Sequence, residues 1–244
     1  AKPGEIEIAS GDSWVGREGL MRAFIGKVRE EDGSYMESLF VIDIPADVDV
    51  TTADSGSATR YPRPPKGIGI RRLTHTPASG VVRGSVDGRR IAYFAPDADG
   101  RKQVFLIASD GSDRHEDPEK RPIQATRLPQ GADSGLRWHP SGNSILCVSE
   151  GGIVATCVKA GPRFGESVFL TPRGDGAPRL DPVWSYDGKR IAYGRAVPTT
   201  DERGRAVKTY NCKDFEQVFV VDFPDADGDG VADATDSSPA RSHP

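Results

Sequence analysis

Short apolar runs separated by turns dominate the hydrophobic pattern of this chain. Ile91–Phe94 and Ile191–Tyr193 are continuous apolar runs that follow Asp-Gly turns. Further runs lie at Leu39–Ile42, Val104–Ile107 and Val218–Val221. Short runs rich in β-branched and aromatic residues are typical of strands that are covered on both faces. No stretch of about a dozen residues has apolar positions at helical spacing, so the pattern predicts a nearly all-β protein.

One turn-and-strand segment occurs three times. The clearest copy is Trp184–Tyr193, and the earlier copies are Gly84–Tyr93 and Trp138–Cys147. The turn glycine recurs after 54 and then 46 residues, close to the roughly 40–50 residues of one propeller blade. The repeat therefore predicts a β-propeller. Gly84 stands where the other copies have tryptophan, so that blade lacks a large buried aromatic ring.

A threonine-containing segment closes each of the first three repeats, at Arg71–Thr74, Ala125–Leu128 and Val168–Thr171. We divide the chain into one propeller domain at residues 1–224, with repeats at about 14–75, 76–129, 130–172 and 173–224, and an acidic calcium-loop-like tail at 225–244. In the first repeat, Ala23–Gly26 keeps the strand but has no Asp-Gly turn ahead of it.

Two segments lie outside the regular repeat. Residues 49–67 combine Thr, Ser, Gly, Arg and three prolines, which predicts an exposed and poorly ordered insertion. Ile6 and Ile8 alternate with Glu5 and Glu7. This alternation predicts a strand. The outer strand that closes the last blade is one place that such a strand could fill.

Composition narrows the classes of partner and compartment. The formal net charge is −4, which gives no general attraction to nucleic acid or to an anionic membrane. No apolar run reaches the ~18 residues of a membrane span, and Ala1–Gly4 lacks the pattern of a signal peptide, as in a processed or excised segment. The three cysteines do not form a disulfide framework. We expect Cys147 and Cys157 to be reduced and buried, and Cys212 to lie in a polar loop.

The segment after the last repeat has the spacing of a calcium loop. Its predicted ligands are Asp225, Asp227, Asp229, the Val231 carbonyl, Asp233 and Asp236. Gly230 falls at the sixth position, where such a loop turns tightly. The loop resembles an EF-hand and, more closely, a thrombospondin type 3 repeat, although Asp236 replaces the usual glutamate. We expect a structural Ca²⁺; the alternative is the turn that ends a blade, followed by a disordered acidic tail.

Other candidate groups have simpler structural interpretations. The four histidines are spread over separate repeats; His139 is most simply a loop residue, whereas His75 lies where propeller loops open toward a rim. Trp138 and Trp184 occupy equivalent positions and are predicted to be core residues. The arginines that could form an anion-binding rim, but that more often are solvated edge charges, are Arg71, Arg72, Arg89, Arg90, Arg121 and Arg127. The chain has no Gly-x-Ser-x-Gly motif of a serine hydrolase.

The repeat resembles the TolB-type propeller repeat. Pro182–Tyr193 matches that pattern best. More narrowly, the chain resembles the uncharacterised bacterial YidR-like proteins in several segments, which are Ser13–Gly16, Ala23–Gly26, Leu39–Pro45 and Arg71–Thr76. The resemblance implies TolB-type blades and about six of them, so the four visible repeats form either a small ring or part of a six-bladed one. It supplies no active site, because propellers host many unrelated functions.

These observations favour a non-enzymatic binding or scaffold propeller with a protein or glycan partner. Two alternatives remain open: a propeller-type polysaccharide lyase or glycosidase, or a fragment of a larger propeller. No catalytic residue is predicted. The TolB resemblance and the calcium-like loop favour a periplasmic or extracellular location, with the cytoplasm as the alternative.

Overall fold

The computed structural model describes residues 1–60, 62–174, 176 and 178–233. Within these ranges the chain is almost entirely antiparallel β-structure, which confirms the predicted all-β class. Two short 3-10 helices, Val50–Thr52 and Pro118–Lys120, interrupt the strands. The strands form four sheets that follow one another along the chain, as expected of serial propeller blades.

The sheets have the following strands. Sheet 1, in the order β1-β2-β3-β4, contains β1 (Ile6–Trp14), β2 (Met21–Arg29), β3 (Tyr35–Asp43) and β4 (Gly69–Arg72). Sheet 2, in the order β5-β6-β7-β8, contains β5 (Ser79–Gly84), β6 (Arg90–Pro96), β7 (Lys102–Ala108) and β8 (Ile123–Gln124). Sheet 3, in the order β12-β11-β10-β9, contains β9 (Ser134–Trp138), β10 (Ser144–Ser149), β11 (Gly152–Cys157) and β12 (Ser167–Phe169). Sheet 4, in the order β13-β14-β17, contains β13 (Arg179–Trp184), β14 (Arg190–Val197) and β17 (Phe215–Asp222). A separate hairpin pairs β15 (Thr199–Thr200) with β16 (Ala206–Val207).

Hydrogen bonds between neighbouring residues hold the repeated turn in its conformation. In the last copy, the Ser185 hydroxyl donates to Asp187 Oδ1 at 2.6 Å, and the same oxygen accepts from the Lys189 N–H at 3.1 Å. These two bonds hold the pKa of Asp187 below its usual value. Gly188 follows at φ 74°, a conformation that glycine adopts without steric cost. The turn thus fixes where β14 begins.

The described residues form two compact units, one from residues 1–94 and 106–123 and the other from residues 95–105 and 124 onward. In the first unit, β2 and β3 pair in continuous register from Met21↔Asp43 to Arg29↔Tyr35. One face of this sheet buries a stacked pair, Phe24 and Phe40, with ring centroids 5.5 Å apart. The other face is also buried, because it packs next to β5.

In the second unit, sheet 3 stacks on sheet 4. Leu146, Ile153 and Ala155 of sheet 3 share a buried cluster with the sheet 4 residues Ile191 and Tyr193, among others. Directly opposed residues in antiparallel pairs point to the same face. The contact therefore covers one face of sheet 4, the face that carries Ile191, Tyr193 and Val221.

The structure corrects the role expected of the first strand. Ile6 and Ile8 belong to β1, which pairs with β2 through Ile6↔Val28 and Ile8↔Lys27. The segment therefore belongs to sheet 1 and does not form the outer strand that closes the last blade. Ile6 packs against the Phe24 and Phe40 cluster, and this local apolar contact explains the pairing. The first sheet thus begins before the predicted boundary at residue 14.

The insertion at residues 49–67 is exposed at most of its described positions, as predicted. Within it, Asp49 caps the short Val50–Thr52 helix by accepting from the Thr51 N–H at 2.9 Å. Two isolated bridges, Asp54↔Arg63 and Ser57↔Arg60, also form within the insertion.

Candidate functional site

The predicted calcium loop winds around Asp225. One carboxylate oxygen of Asp225 accepts from the N–H groups of Gly228 and Asp229 at 2.9 and 3.1 Å, and the other accepts from Gly230 at 2.9 Å. Asp227 accepts from the Asp229 N–H at 3.0 Å. Because these bonds turn the backbone inward, one carboxylate oxygen each of Asp225, Asp227 and Asp229 lies within 4.8 Å of the others.

The remaining predicted ligands do not all join this group. Asp233 Oδ2 accepts from the Ala226 N–H at 2.8 Å and so fastens the end of the loop to its beginning. Val231 is buried, and its N–H donates to Asp229 Oδ1 at 2.8 Å. Asp236 lies outside the described residues.

The loop is docked on sheet 3 and the loops that flank it. Asn143 Nδ2 donates to the Asp229 carbonyl at 2.7 Å, and the Ser144 hydroxyl donates to the Gly230 carbonyl at 2.6 Å. Lys159 Nζ lies 3.0 Å from Asp229 Oδ2, and this bond holds the pKa of Asp229 below its usual value. The segment up to Asp233 is therefore packed, unlike the free acidic tail of the alternative interpretation. Lys159 is a cation that sequence reasoning missed, because it lies 70 residues away.

His139 lies beneath this loop in an aromatic cluster. Its ring contacts Trp184 edge-on at 4.6 Å between centroids, and Trp184 contacts Phe223 edge-on at 4.7 Å. Burial lowers the pKa of His139, although the Gly188 carbonyl, Asp225 and Asp229 act in the opposite direction. His139 Nδ1 accepts from the Ser141 N–H at 3.1 Å, which suits the neutral ring. His139 and Trp184 are thus parts of the packing, as the sequence predicted for Trp184.

His75 has a carboxylate partner that the sequence did not indicate. Its Nδ1 lies 3.0 Å from Asp113 Oδ1, and Asp113 also accepts from the backbone N–H groups of His75 and Thr76. Burial raises the pKa of Asp113, but these hydrogen bonds and His75 outweigh it and the net shift is downward. The Asp113 N–H in turn donates to the Leu73 carbonyl at 2.9 Å. The pair therefore ties the end of the first repeat to the segment before β8.

Two of the candidate rim arginines bind acidic side chains of sheet 1 or of its β2–β3 turn. Arg71 binds Asp43 through two hydrogen bonds, at 2.6 and 3.1 Å. Arg72 binds Glu30 at 2.6 Å and the Ser38 hydroxyl at 2.8 Å. Since their donors already have acceptors, these two side chains hold β4 to the sheet rather than presenting a free basic rim.

Among the described residues, nothing covers one apolar face of sheet 4. Val183, Val218 and Val220 point away from the stacked face and are 42%, 77% and 45% exposed. Ala192 lies between Val183 and Val220 in the register. The corresponding residues of β7 in sheet 2, Val104 and Leu106, are at most 3% exposed. Sequence periodicity could not reveal this difference, because the apolar run looks the same in both strands.

Comparison with known proteins supports the fold. No protein-family model matches the chain. It is 32% identical over 210 residues to YidR of Escherichia coli (strain K12), a protein described as uncharacterized, and the match covers 79% of this chain and 47% of YidR. The chain thus spans about half the length of that relative.

Two solved structures share the architecture at low sequence identity. One is described as TolB from Agrobacterium tumefaciens, with a TM-score of 0.53, 14% identity, and coverage of 95% of this chain and 66% of that one. The other is the β-propeller domain of the Trilobed protease from Pyrococcus furiosus, with a TM-score of 0.52, 11% identity, and coverage of 91% and 56%. Together with the sheets described above, these neighbours confirm the predicted propeller fold of TolB type.

Among the described residues, the structure contains no helix long and apolar enough to cross a membrane. Each of the three cysteines has a free thiol, with Cys147 and Cys157 buried and Cys212 exposed, as predicted.

Proposed function

We propose that this chain, whose fold is that of the TolB-type β-propellers, is a non-enzymatic binding module that holds a protein partner against the uncovered face of sheet 4. The observation that carries the proposal is the exposure of Val183, Val218 and Val220 on one continuous face. Apolar faces of the other sheets are buried: Val104 and Leu106 of sheet 2 are at most 3% exposed, and Ile153 and Ala155 of sheet 3 pack against sheet 4.

The chemistry of the face favours a protein over a glycan. Fully burying a valine side chain contributes about 1.5–3 kcal/mol, so a partner that covers three valines gains several kcal/mol before its entropic costs are subtracted. Valine offers no hydrogen bond to a sugar hydroxyl and no aromatic ring for a sugar to stack on. An apolar surface of a second polypeptide is the complementary shape and chemistry.

Site-specific photocrosslinking tests the proposal. A photoreactive amino acid is placed at position 218 or 220, and the purified protein is irradiated in an envelope extract of the source organism. We expect one discrete protein adduct, absent when the same group replaces Val50, which is also exposed but lies in the 49–67 insertion. The adduct is then identified by mass spectrometry.

A charge-neutral pair of substitutions supplies the matched binding test. V218E with V220K replaces two of the three exposed valines without changing the net charge, and we expect binding of the identified protein to weaken by at least tenfold. Equal binding by wild type and the double variant, or equal labelling from positions 218 and 50, would overturn the proposal.

The proposal includes a structural Ca²⁺ ion bound by the acidic loop. Asp225, Asp227 and Asp229 offer converging carboxylate oxygens, and such oxygens are the ligands that Ca²⁺ prefers. Lys159, 3.0 Å from Asp229, compensates part of the negative charge of these carboxylates. We therefore propose a weak Ca²⁺ site that tightens the docked loop and takes no part in chemistry.

The proposed location is the periplasm or the cell exterior, in agreement with the TolB resemblance. Free millimolar Ca²⁺ outside the cytoplasm would match a weak site of this kind. Fractionation with an antibody against the chain tests the location, and recovery in the cytoplasmic fraction alone would contradict it.

A further inference from the structure

The first compact unit contains a cavity of about 400 Å³ between two turns, one that joins β1 to β2 and one that joins β5 to β6. Both sheets that contribute these turns have four strands. The apolar side chains that line the cavity are Val15, Leu20, Met21 and Val86. Sites for small molecules typically have volumes of roughly 300–1,000 Å³ and a mainly apolar lining. The size and lining of this cavity therefore suit a small organic ligand.

A close backbone contact forms one side of the cavity. The Gly16 N–H donates to the Ser85 carbonyl at 3.0 Å. Gly16 and Gly88, which both line the cavity, have φ angles of 77° and 75°, which glycine adopts without steric cost. A Cβ on Gly16 would lie only 3.2 Å from Gly88 Cα. The two glycines thus allow the turns to meet, and the side chains around them leave the cavity open.

The second compact unit has aromatic rings at the matching positions. The first residue of each turn donates its N–H across the turn at 2.8–3.0 Å, and these residues are Val15, Ser85, His139 and Ser185. By this bond Val15 of sheet 1 is the counterpart of His139 in sheet 3. Gly84, one residue before the turn of sheet 2, is likewise the counterpart of Trp184 in sheet 4. The rings of His139 and Trp184 pack 4.6 Å apart, whereas valine and glycine replace them in the first unit.

The rings determine what lies beside the turn glycine. In the second unit, a Cβ on Gly188 would meet the His139 ring at 2.3 Å. In the first unit, the atoms within 4 Å of a Cβ on Gly88 are backbone atoms of Gly16. The first unit therefore keeps open, beside an apolar lining, a place that the second unit fills with an aromatic ring. An aromatic ring of a ligand is the matching occupant.

Three charged side chains complete the lining, and they are Arg17, Glu18 and Asp87. Arg17 and Glu18 are exposed, and neither side chain has an ion pair or hydrogen bond among the described residues. Burial raises the pKa of Asp87, but hydrogen bonds from the Ser85 hydroxyl and the Arg89 N–H outweigh it, and the net shift is downward. One cation and two carboxylates are thus ionised at neutral pH around an apolar space.

This combination of charges favours a ligand that carries both signs. A simple anion would be attracted by Arg17 but repelled by the two carboxylates, and a simple cation would be repelled by Arg17. An α-amino acid carries a carboxylate and an ammonium group on the same carbon atom, and Arg17 and Glu18 are neighbours in the chain. Charge-assisted hydrogen bonds to both groups would fix its orientation.

We propose that the cavity binds an aromatic α-amino acid in its zwitterionic form. The ring occupies the space beside Val15, Met21 and Val86. The carboxylate pairs with Arg17, and the ammonium group pairs with Glu18. The site uses no residue of sheet 4, so this inference is independent of the proposed protein-binding function.

Binding of L-phenylalanine to the full chain, measured by calorimetry and by saturation-transfer NMR, tests the inference. We expect saturable binding with one site. Three analogues should each bind about fivefold or more weakly: L-alanine has no ring, N-acetylphenylalanine has no ammonium group, and phenylalanine amide has no carboxylate. Equal binding of phenylalanine and these analogues, or no saturable binding of phenylalanine, would overturn the inference.

Charge variants assign each contact. R17Q should weaken binding of phenylalanine about fivefold but leave binding of phenylalanine amide unchanged. E18Q should weaken binding of phenylalanine but leave binding of N-acetylphenylalanine unchanged. R203Q and E202Q are the matched controls, because Glu202 and Arg203 are also adjacent, exposed and in a turn, but belong to the second unit. Equal effects of the two pairs would contradict the assigned contacts.

A space-filling variant tests the cavity itself. Val86→Tyr should abolish binding, because the larger ring occupies the ligand's place. The turn accepts this residue, since Tyr186 occupies the same position in the turn of sheet 4. Tyr186→Val is the control and should bind phenylalanine as the wild type does. Unchanged binding in a folded Val86→Tyr variant would exclude this cavity, and R17Q and E18Q decide the question if that variant does not fold.

The double variant V218E with V220K separates this inference from the proposed function. It should bind phenylalanine as tightly as the wild type does. Loss of phenylalanine binding in this variant would place the ligand on sheet 4 and overturn the inference. Failure of photocrosslinking at positions 218 and 220, with normal binding of phenylalanine, would overturn only the proposed function.

Discussion

Single hydroxyl groups fasten the outer strands of this protein. Thr126 is fully buried, and its Oγ1 accepts from the Val104 N–H and donates to Gln103 Oε1, each at 2.8 Å. Gln103 also accepts from the Leu128 N–H at 3.0 Å. A buried donor or acceptor that loses its partner costs more than the bond itself contributes, because it is no longer hydrated.

We predict that Thr126→Val lowers the free energy of unfolding by about 1–3 kcal/mol. Valine has nearly the same shape, so the loss reports the Val104 N–H and Gln103 Oε1 left without a partner. Thr126→Ser keeps the hydroxyl and serves as the control. Urea melts give the measurement, and equal stability of the valine and serine variants would refute the explanation.

His139 gives the second prediction at this scale. Its pKa in the folded state is lowered, first by burial. Below about pH 6.5, His139 is therefore protonated more readily in the unfolded chain than in the folded one. The free energy of unfolding decreases as the pH falls below this value. We expect His139→Gln to reduce the change in stability with pH between about pH 7 and 5. Thermal melts at constant ionic strength measure it, and an unchanged slope in the variant would show that other groups are responsible.

At the scale of the element, the acidic loop is a packed component of the second unit. Val231 and Ala232 are buried, and Phe223 completes the aromatic cluster at its start. Asp225 accepts three backbone N–H groups of the loop. The loop therefore has two separable sources of stability, its own hydrogen bonds and the proposed Ca²⁺.

We predict that millimolar Ca²⁺ raises the melting temperature of the wild-type protein and that Asp227→Asn removes most of this rise. Asp227 makes one hydrogen bond within the loop, so its loss changes the metal-free protein little. Asp225→Asn should lower the melting temperature even with chelator, because its carboxylate organises the turn. An equal response of wild type and Asp227→Asn to Ca²⁺ in scanning calorimetry would exclude a site built on these residues.

At the scale of the whole molecule, similar antiparallel sheets are repeated, but the residues that pack against them differ from sheet to sheet. The same apolar run is buried as Val104–Ile107 in sheet 2, apart from the half-exposed Phe105, and is largely exposed on one side as Val218–Val221 in sheet 4. An uncovered apolar face on a protein with a pI near 5.7 should favour self-association where the net charge is small.

We predict that the protein associates reversibly near pH 5.7 and remains dispersed at about pH 8, as seen by sedimentation velocity. The double variant V218T V220T keeps strand propensity and net charge but reduces the apolar surface, and it should associate less. Val50→Thr, at an exposed position outside sheet 4, should behave as wild type. If all three proteins associate equally, the face of sheet 4 is not the cause.

The sequence by itself determined the strand units, because Asp-Gly and Ser-Gly turns followed by apolar runs are local signals. The Ser185 and Asp187 turn is made by residues within a few positions of each other, so its structure could be predicted. The spacing of Asp225, Asp227 and Asp229 likewise indicated their convergence, since the loop is closed by its own backbone bonds.

Only the tertiary structure decided which strand each segment joins and which surfaces remain uncovered. Ile6 pairs with Val28 and packs beside Phe24, a choice between apolar surfaces that strand periodicity does not encode. Lys159 reaches Asp229, and Asp113 reaches His75, across large separations in the chain. Val218 looks like Val104 in sequence, and it differs because no fourth strand lies beside it among the described residues and no sheet covers its face. Burial depends on what packs against a residue, and that neighbour is supplied by the fold.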